Sequence, residues 1–320
     1  MILADYYKEF KCKCGDCRRV CCGGWGITVS DAEYFRLLGL QCSEELRRRL
    51  DVALAPADDP SPERFAIMKP SYTGKCRLIN EEGLCSLQIE CGEEVLPAVC
   101  RMYPRSVTAE RAGCSCSCER VVEMLMRPEP LSFSEPLPEP LSRYVGAMRD
   151  RSAPVSERVI RLVDAALPSG LYYNGPVLLS MYAKTLAEHS EFMRETVVPV
   201  TDAYAADAEK LASDSAEFDR TFPRADEWFE NILVNRMFLT GFPSDDPVAS
   251  VCGLACEYAL LRVMTLKASS DEDFVDRVSE LYRYIGHTNF DKNSTAAINI
   301  CGALSKDGVG QIVRVQNSEL

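Results

Sequence analysis

Residues 10–25 read FKCKCGDCRRVCCGGW, with five cysteines (Cys12, Cys14, Cys17, Cys21 and Cys22) inside eleven residues. Gly15, Gly23 and Gly24 lie among them and allow the tight turns a chain needs to wrap several side chains around one point. Core packing does not explain such a concentration. The stretch reads as the first half of a thiolate metal site whose remaining ligands arrive later.

The other cysteines follow the same bias. Thirteen of the sixteen fall in residues 1–118, leaving only Cys252, Cys256 and Cys301 beyond. The N-terminus, MILADYYKEFK, lacks the apolar region of a signal peptide, and no run approaches the roughly 18 apolar residues of a membrane span. A cytoplasmic location with no membrane partner is therefore expected. Thiols stay reduced there, which disfavours a disulfide framework and favours metal binding. The two histidines, His189 and His287, lie outside the cysteine-rich part, so a site there is dominated by sulfur. Zinc and iron–sulfur suit such ligands; magnesium, calcium and copper(II) do not. Adjacent residues project apart, so Cys21 and Cys22 suit two sites, a bridge between metals, or one ligand and one bystander.

Composition permits a folded core, with 47% hydrophobic and 26% charged residues over 320 positions. The net charge of −12 is uneven: 16 Lys+Arg stand against 17 Asp+Glu up to Cys118, and 20 against 31 beyond. Phosphate binding needs a basic face, so nucleic acid is not the expected partner. The acidic second half serves solubility or attracts a lysine-bearing substrate.

Along the chain, ITVSDAEYFRLLG predicts a strand turning into a helix, with Ser30 and Glu33 at capping-box spacing and Gly39 as the stop. A second helix is expected from Glu44 to about Leu54. CRLIN (76–80) and LCSLQ (84–88) predict a hairpin, and 91–99 one short helix delivering Cys100. Three alternate cysteines, Cys114, Cys116 and Cys118, precede a helical turn. RPEPLSFSEPLPEP (127–140) holds five prolines and reads as an extended connector. Beyond it the spacing is helical over 155–166, 176–197, 201–213, around Trp228, over 250–266 and along FVDRVSELYRYI. The fold class is mainly α. A small cysteine-rich metal-binding α+β domain (1–126) is expected, then a Pro-rich linker (127–142) and an all-α domain (143–320).

At this point the residues resemble the flagellin lysine-N-methylases. The likeness rests on F-x-C-x4-C-x3-C-C-x-G-W at Phe10–Trp25, on KCRLINEEGLCSLQ, on GEEVLPAVCRMYPR, on ENILVNRMF and on LYRYIGHTNF. The wider relatives share only the cysteine half. The resemblance implies a protein-lysine methyltransferase that moves a methyl group from S-adenosylmethionine to lysine ε-amines of flagellin and depends on a [4Fe–4S] cluster. Position by position, it implies Cys12, Cys17, Cys21, Cys22, Cys76, Cys85, Cys100 and Cys118 as ligands. Cys14 stands where the family usually has glycine, Cys118-Glu119-Arg120 where it has C-P-E, and Gly286 replaces the acid before His287.

The residues themselves add a constraint. No strand leads into a G-x-G-x-G turn of the Rossmann type, and no CxxxCxxC run occurs. A second function class therefore stands beside the first: a non-catalytic zinc- or iron-binding protein with a helical interaction domain. A third is an electron-transfer or redox-sensing thiol protein.

Overall fold

The computed structural model describes residues 1–18, 21, 26–72, 74–167, 175–188, 190–286, 288–301 and 312–313. Two compact units form, Lys11–Ser106 on the one hand and Met1–Phe10 with Val107–Leu320 on the other.

In the unit Lys11–Ser106, the strands Ile27–Val29, Ala66–Met68 and Leu54–Pro56 make an antiparallel sheet with Ala66–Met68 in the middle. Ile27 and Leu54 both register with Met68. The alternation of a strand sends Ile27, Val29, Ala66 and Met68 into the core. The expected helix follows as Asp31–Leu38. Ser30 accepts from the Glu33 N–H, the Glu33 carboxylate accepts from Ser30, and Gly39 closes the last turn. Glu44–Ala53 forms the next helix, with Ser43 as its cap and Leu46 and Leu50 buried against Leu37, Leu78, Leu87 and Leu96. The Arg47 guanidinium donates to the carbonyls of Leu37 and Leu40 at 3.1 and 2.7 Å, supplying partners that the end of the first helix lacks.

Two local expectations are corrected here. LCSLQ is not the second strand of a hairpin. Only one bridge forms, between Ile79 and Cys85, and the helix Ser86–Cys91 starts at once with Cys85 as its N-cap. The turn itself is tight: Asn80 Oδ1 accepts the Leu84 N–H at 2.8 Å, and Gly83 has a φ of 79°. Leu87 then points into the core at a helical rather than an alternating position. The 91–99 helix is also divided, into a single turn Glu93–Val95 and the helix Ala98–Met102, because Pro97 lacks the N–H to continue. Cys100 therefore sits inside a helix rather than after one.

The other unit is helical. Ile2–Leu3 pairs in parallel with Arg111–Cys114, and the helix Glu119–Leu125 follows. Further helices are Leu141–Met148, Val155–Ala166, Gly175–Ala187, Val198–Ala206, Ala208–Thr221, Ala225–Thr240, Pro247–Thr265, Asp271–Gly286 and Phe290–Ile300. Pro199 stands in the first turn of Val198–Ala206, where no N–H is needed. At the centre runs Pro247–Thr265, packed by Val155–Ala166, Asp271–Gly286 and Phe290–Ile300. By length and apolar content it does match a membrane span, contrary to the expectation from the sequence. Inside the unit 94% of its apolar window is buried, as in the core helix of a bundle.

Asn231 is the peg for the Pro-rich run. Its Oδ1 accepts the Leu131 N–H at 2.7 Å, and its Nδ2 faces the carbonyls of Leu125, Arg127 and Glu129 at 3.0–3.1 Å. Prolines remove donors from such a segment, so a buried side-chain amide takes over the carbonyls that no ladder can satisfy.

Candidate metal centre

The capping box at Ser30 does more than start a helix. Glu33 Oε1 also accepts the Ala98 N–H at 2.6 Å, which anchors the start of the helix that carries Cys100. Burial pushes the Glu33 carboxyl up, but the N–H groups of Ser30 and Ala98 and the Ser30 hydroxyl bring it below the usual glutamate range. Cys76 and Cys85 are set across the Asn80 turn by the bridges Pro70–Cys76 and Ile79–Cys85. Both pack against the same core as Cys100.

These placements set Cys76, Cys85 and Cys100 against one core, and Cys21 acts electrostatically on each of them. Burial raises Cys76, Cys85 and Cys100, and each is raised further by Cys21; Cys76 and Cys85 also act on Cys100, which reaches about 12. Against this, the N–H of Leu78 favours the thiolate of Cys76, and those of Leu87 and Gln88 favour that of Cys85. The physical content is mutual repulsion: half-buried sulfurs near one another resist ionisation unless a cation neutralises them. Sulfur-only ligands that oppose one another and are partly supplied with N–H donors fit a thiophilic metal or an iron–sulfur cluster. Among the described residues, no three His, Cys, Asp or Glu side chains converge closely enough to hold a single metal ion.

The remaining sequence candidates are placed as follows. Cys12 is exposed, accepts the Cys14 N–H at 3.2 Å and is raised by burial, then by Cys14 and Cys21. Cys14 has a φ of 54°, the left-handed region that favours glycine, a physical reason for glycine at that place in the resembled family. Cys17 is half-buried. Cys22, Trp25, His189 and His287 lie outside the described residues. Cys118 belongs to the helical unit, where it caps Glu119–Leu125. Its neighbour Cys116 is fully buried and accepts from Asn235 Nδ2 at 3.4 Å. Arg101 donates to the Glu94 carbonyl at 3.4 Å. No disulfide forms among the described cysteines.

The helical unit holds polar residues that apolar periodicity does not reveal. In ENILVNR, Glu230 is buried between Arg158 and Arg151, the latter at 2.8 Å. Asn231 and Asn235 make the contacts given above, and Arg236 pairs with Glu257 and with Asp291, at 2.6 Å to the latter. Tyr282 donates to Glu257. Burial lifts the Glu257 carboxyl to about 7, against the pull of Arg236 and of the Tyr282 hydroxyl. The signals in the sequence were the ENILVNRMF resemblance and charge within a helix otherwise rich in apolar residues.

Comparison with known proteins bears out the family resemblance over part of this unit. Residues 173–301 match the FliB lysine N-methylase C-terminal domain. The lysine-N-methylases of Salmonella typhimurium (strain LT2) and Salmonella choleraesuis (strain SC-B67) are each 24% identical to the chain over 135 residues, 41% of it. The chain spans a third of the length of these relatives, 33%. No solved structure matches.

Proposed function

We propose that this chain, whose residues 173–301 carry a FliB-type lysine N-methylase C-terminal domain, is a protein-lysine N-methyltransferase using S-adenosylmethionine. That domain match is the observation that carries the reading. The cysteine-rich unit then serves as the seat of a metal group, an iron–sulfur cluster in preference to zinc. Cys21, Cys76, Cys85 and Cys100 are its central ligands, and Cys12, Cys17 and Cys22 the further candidates, whereas Cys118 belongs to the helical unit. The electrostatic opposition among the four central thiols supports this choice. Flagellin is the proposed substrate, and the cytoplasm, where such thiols stay reduced, the proposed compartment.

A lysine amine is protonated at neutral pH and accepts a methyl group only as the neutral base. S-adenosylmethionine supplies the electrophilic methyl; the protein's task is to orient the amine and strip it of water and its proton. Within the matched domain, the buried Arg236 ties its helix to those of Glu257 and Asp291.

The test is co-expression with flagellin of the same organism, followed by mass spectrometry of its lysines. Methyl-lysine that appears only with the chain supports the reading. Unmodified lysines beside metal-loaded protein would overturn it in favour of a non-catalytic metal protein.

A further inference from the structure

Within the unit Lys11–Ser106, a groove of about 490 Å³ is lined by Arg48, Arg49, Lys75 and Arg77, with Cys76 in its wall. Four cations in one groove are unexpected in a chain of net charge −12. The nearby carboxylates do not cancel them. Glu81 is the one acid in the lining, and Glu45, which pairs with Arg48 at 3.3 Å and Arg49 at 3.0 Å, is largely exposed. Such solvent-facing pairs contribute little. Lys75 and Arg77 have no ion pair among the described residues, and the Nε of Arg77 is buried without a hydrogen-bond partner. Val52 and Ile79 add short apolar surface beside these heads.

We propose that this groove binds an acidic peptide segment, holding successive Asp or Glu carboxylates on Arg48, Lys75 and Arg77 while Val52 and Ile79 take the aliphatic stems. The planar guanidinium matches a carboxylate with two parallel hydrogen bonds. Four cations lining one open groove suit several carboxylates of a chain better than one compact anion. S-adenosylmethionine is not its ligand, because sulfonium and ammonium would face four positive charges. That the bound peptide is the acidic flank of a methylated lysine rests on the function proposed above; the binding itself does not.

Fluorescence anisotropy of a fluorescein-labelled Glu/Asp-rich peptide with the full-length chain tests this. Saturable binding is expected, weakened by added salt and at least about tenfold by Arg48→Glu/Lys75→Glu. Both side chains are exposed, and circular dichroism would verify an unchanged fold. Equal binding of a Lys-rich peptide, or undiminished affinity in the double variant, would overturn the proposal. So would displacement by inorganic phosphate at lower concentration than by unlabelled acidic peptide, which marks a small-anion site. Tighter binding of a labelled RNA oligonucleotide would overturn it too. None of these readouts involves methyl transfer, so failure here and failure of the methyltransferase reading are separately visible.

Discussion

The Tyr6 hydroxyl donates to Asn235 Oδ1 at 2.6 Å and accepts the Cys114 N–H at 2.9 Å, while Asn235 Nδ2 donates to the Cys114 carbonyl at 3.0 Å. One closed network thus joins the start of the chain, the alternate cysteines and the middle of Ala225–Thr240. Its members are all buried, so leaving any of them unpaired costs the full desolvation of that group.

Tyr6→Phe keeps the ring and removes the hydroxyl, stranding the Cys114 N–H and Asn235 Oδ1. A loss of about 1–3 kcal/mol is expected, measured as a lower urea midpoint. An unchanged midpoint would show that the network is not a structural tie.

Glu230 is the shared partner of Arg158 and Arg151. Glu230→Gln should destabilise by up to about 3–5 kcal/mol, because it removes the nearer carboxylate of the buried Arg158 and leaves only Asp226, at 3.8 Å. Arg158→Met combined with Glu230→Leu should cost much less than that single change, and a double-mutant cycle in denaturant reads the difference.

Asn231→Ala frees the carbonyls of Leu125, Arg127 and Glu129. Amide exchange and limited proteolysis should accelerate over 127–140 more than elsewhere. Uniform acceleration would mean that Asn231 supports the whole unit instead.

Glu33 has its folded-state value below the ordinary glutamate value of 4.5. Its contribution is therefore fully present above pH 4.5 and is lost as pH falls through the lower folded value. Glu33→Ala should cost about 1–2 kcal/mol at neutral pH and flatten the acid limb of a stability–pH curve. The same change loosens the helix bearing Cys100 and should lower metal retention; full retention would separate the cap from the metal centre.

These residues also show what sequence reading reaches. The Ser30–Glu33 box and the Val155–Ala166 helix were legible because their causes lie within a few residues. LCSLQ misled because its alternation is equally the opening of a helix capped by Cys85, and the Asn80 turn decides between the two. Glu230, Asn231, Asn235 and Arg236 enter the sequence reading only through the ENILVNRMF resemblance, with no role attached. Their partners, from Tyr6 to Asp291, are distant in sequence and leave no local period. For the candidate centre, the clustering of cysteines was visible at once. That Cys21 belongs with Cys76, Cys85 and Cys100 is implied by the family resemblance alone, because spacing does not describe the core that seats the last three.

Methyl transfer in vitro separates a methyltransferase from a non-catalytic metal protein. The full chain, purified without oxygen, is incubated with methyl-labelled S-adenosylmethionine and flagellin, beside Cys85→Ser. Label on flagellin lysines is expected with the wild-type protein, and loss of both label and bound metal in the variant. No label on lysine from wild-type protein that retains its metal would contradict the methyltransferase reading.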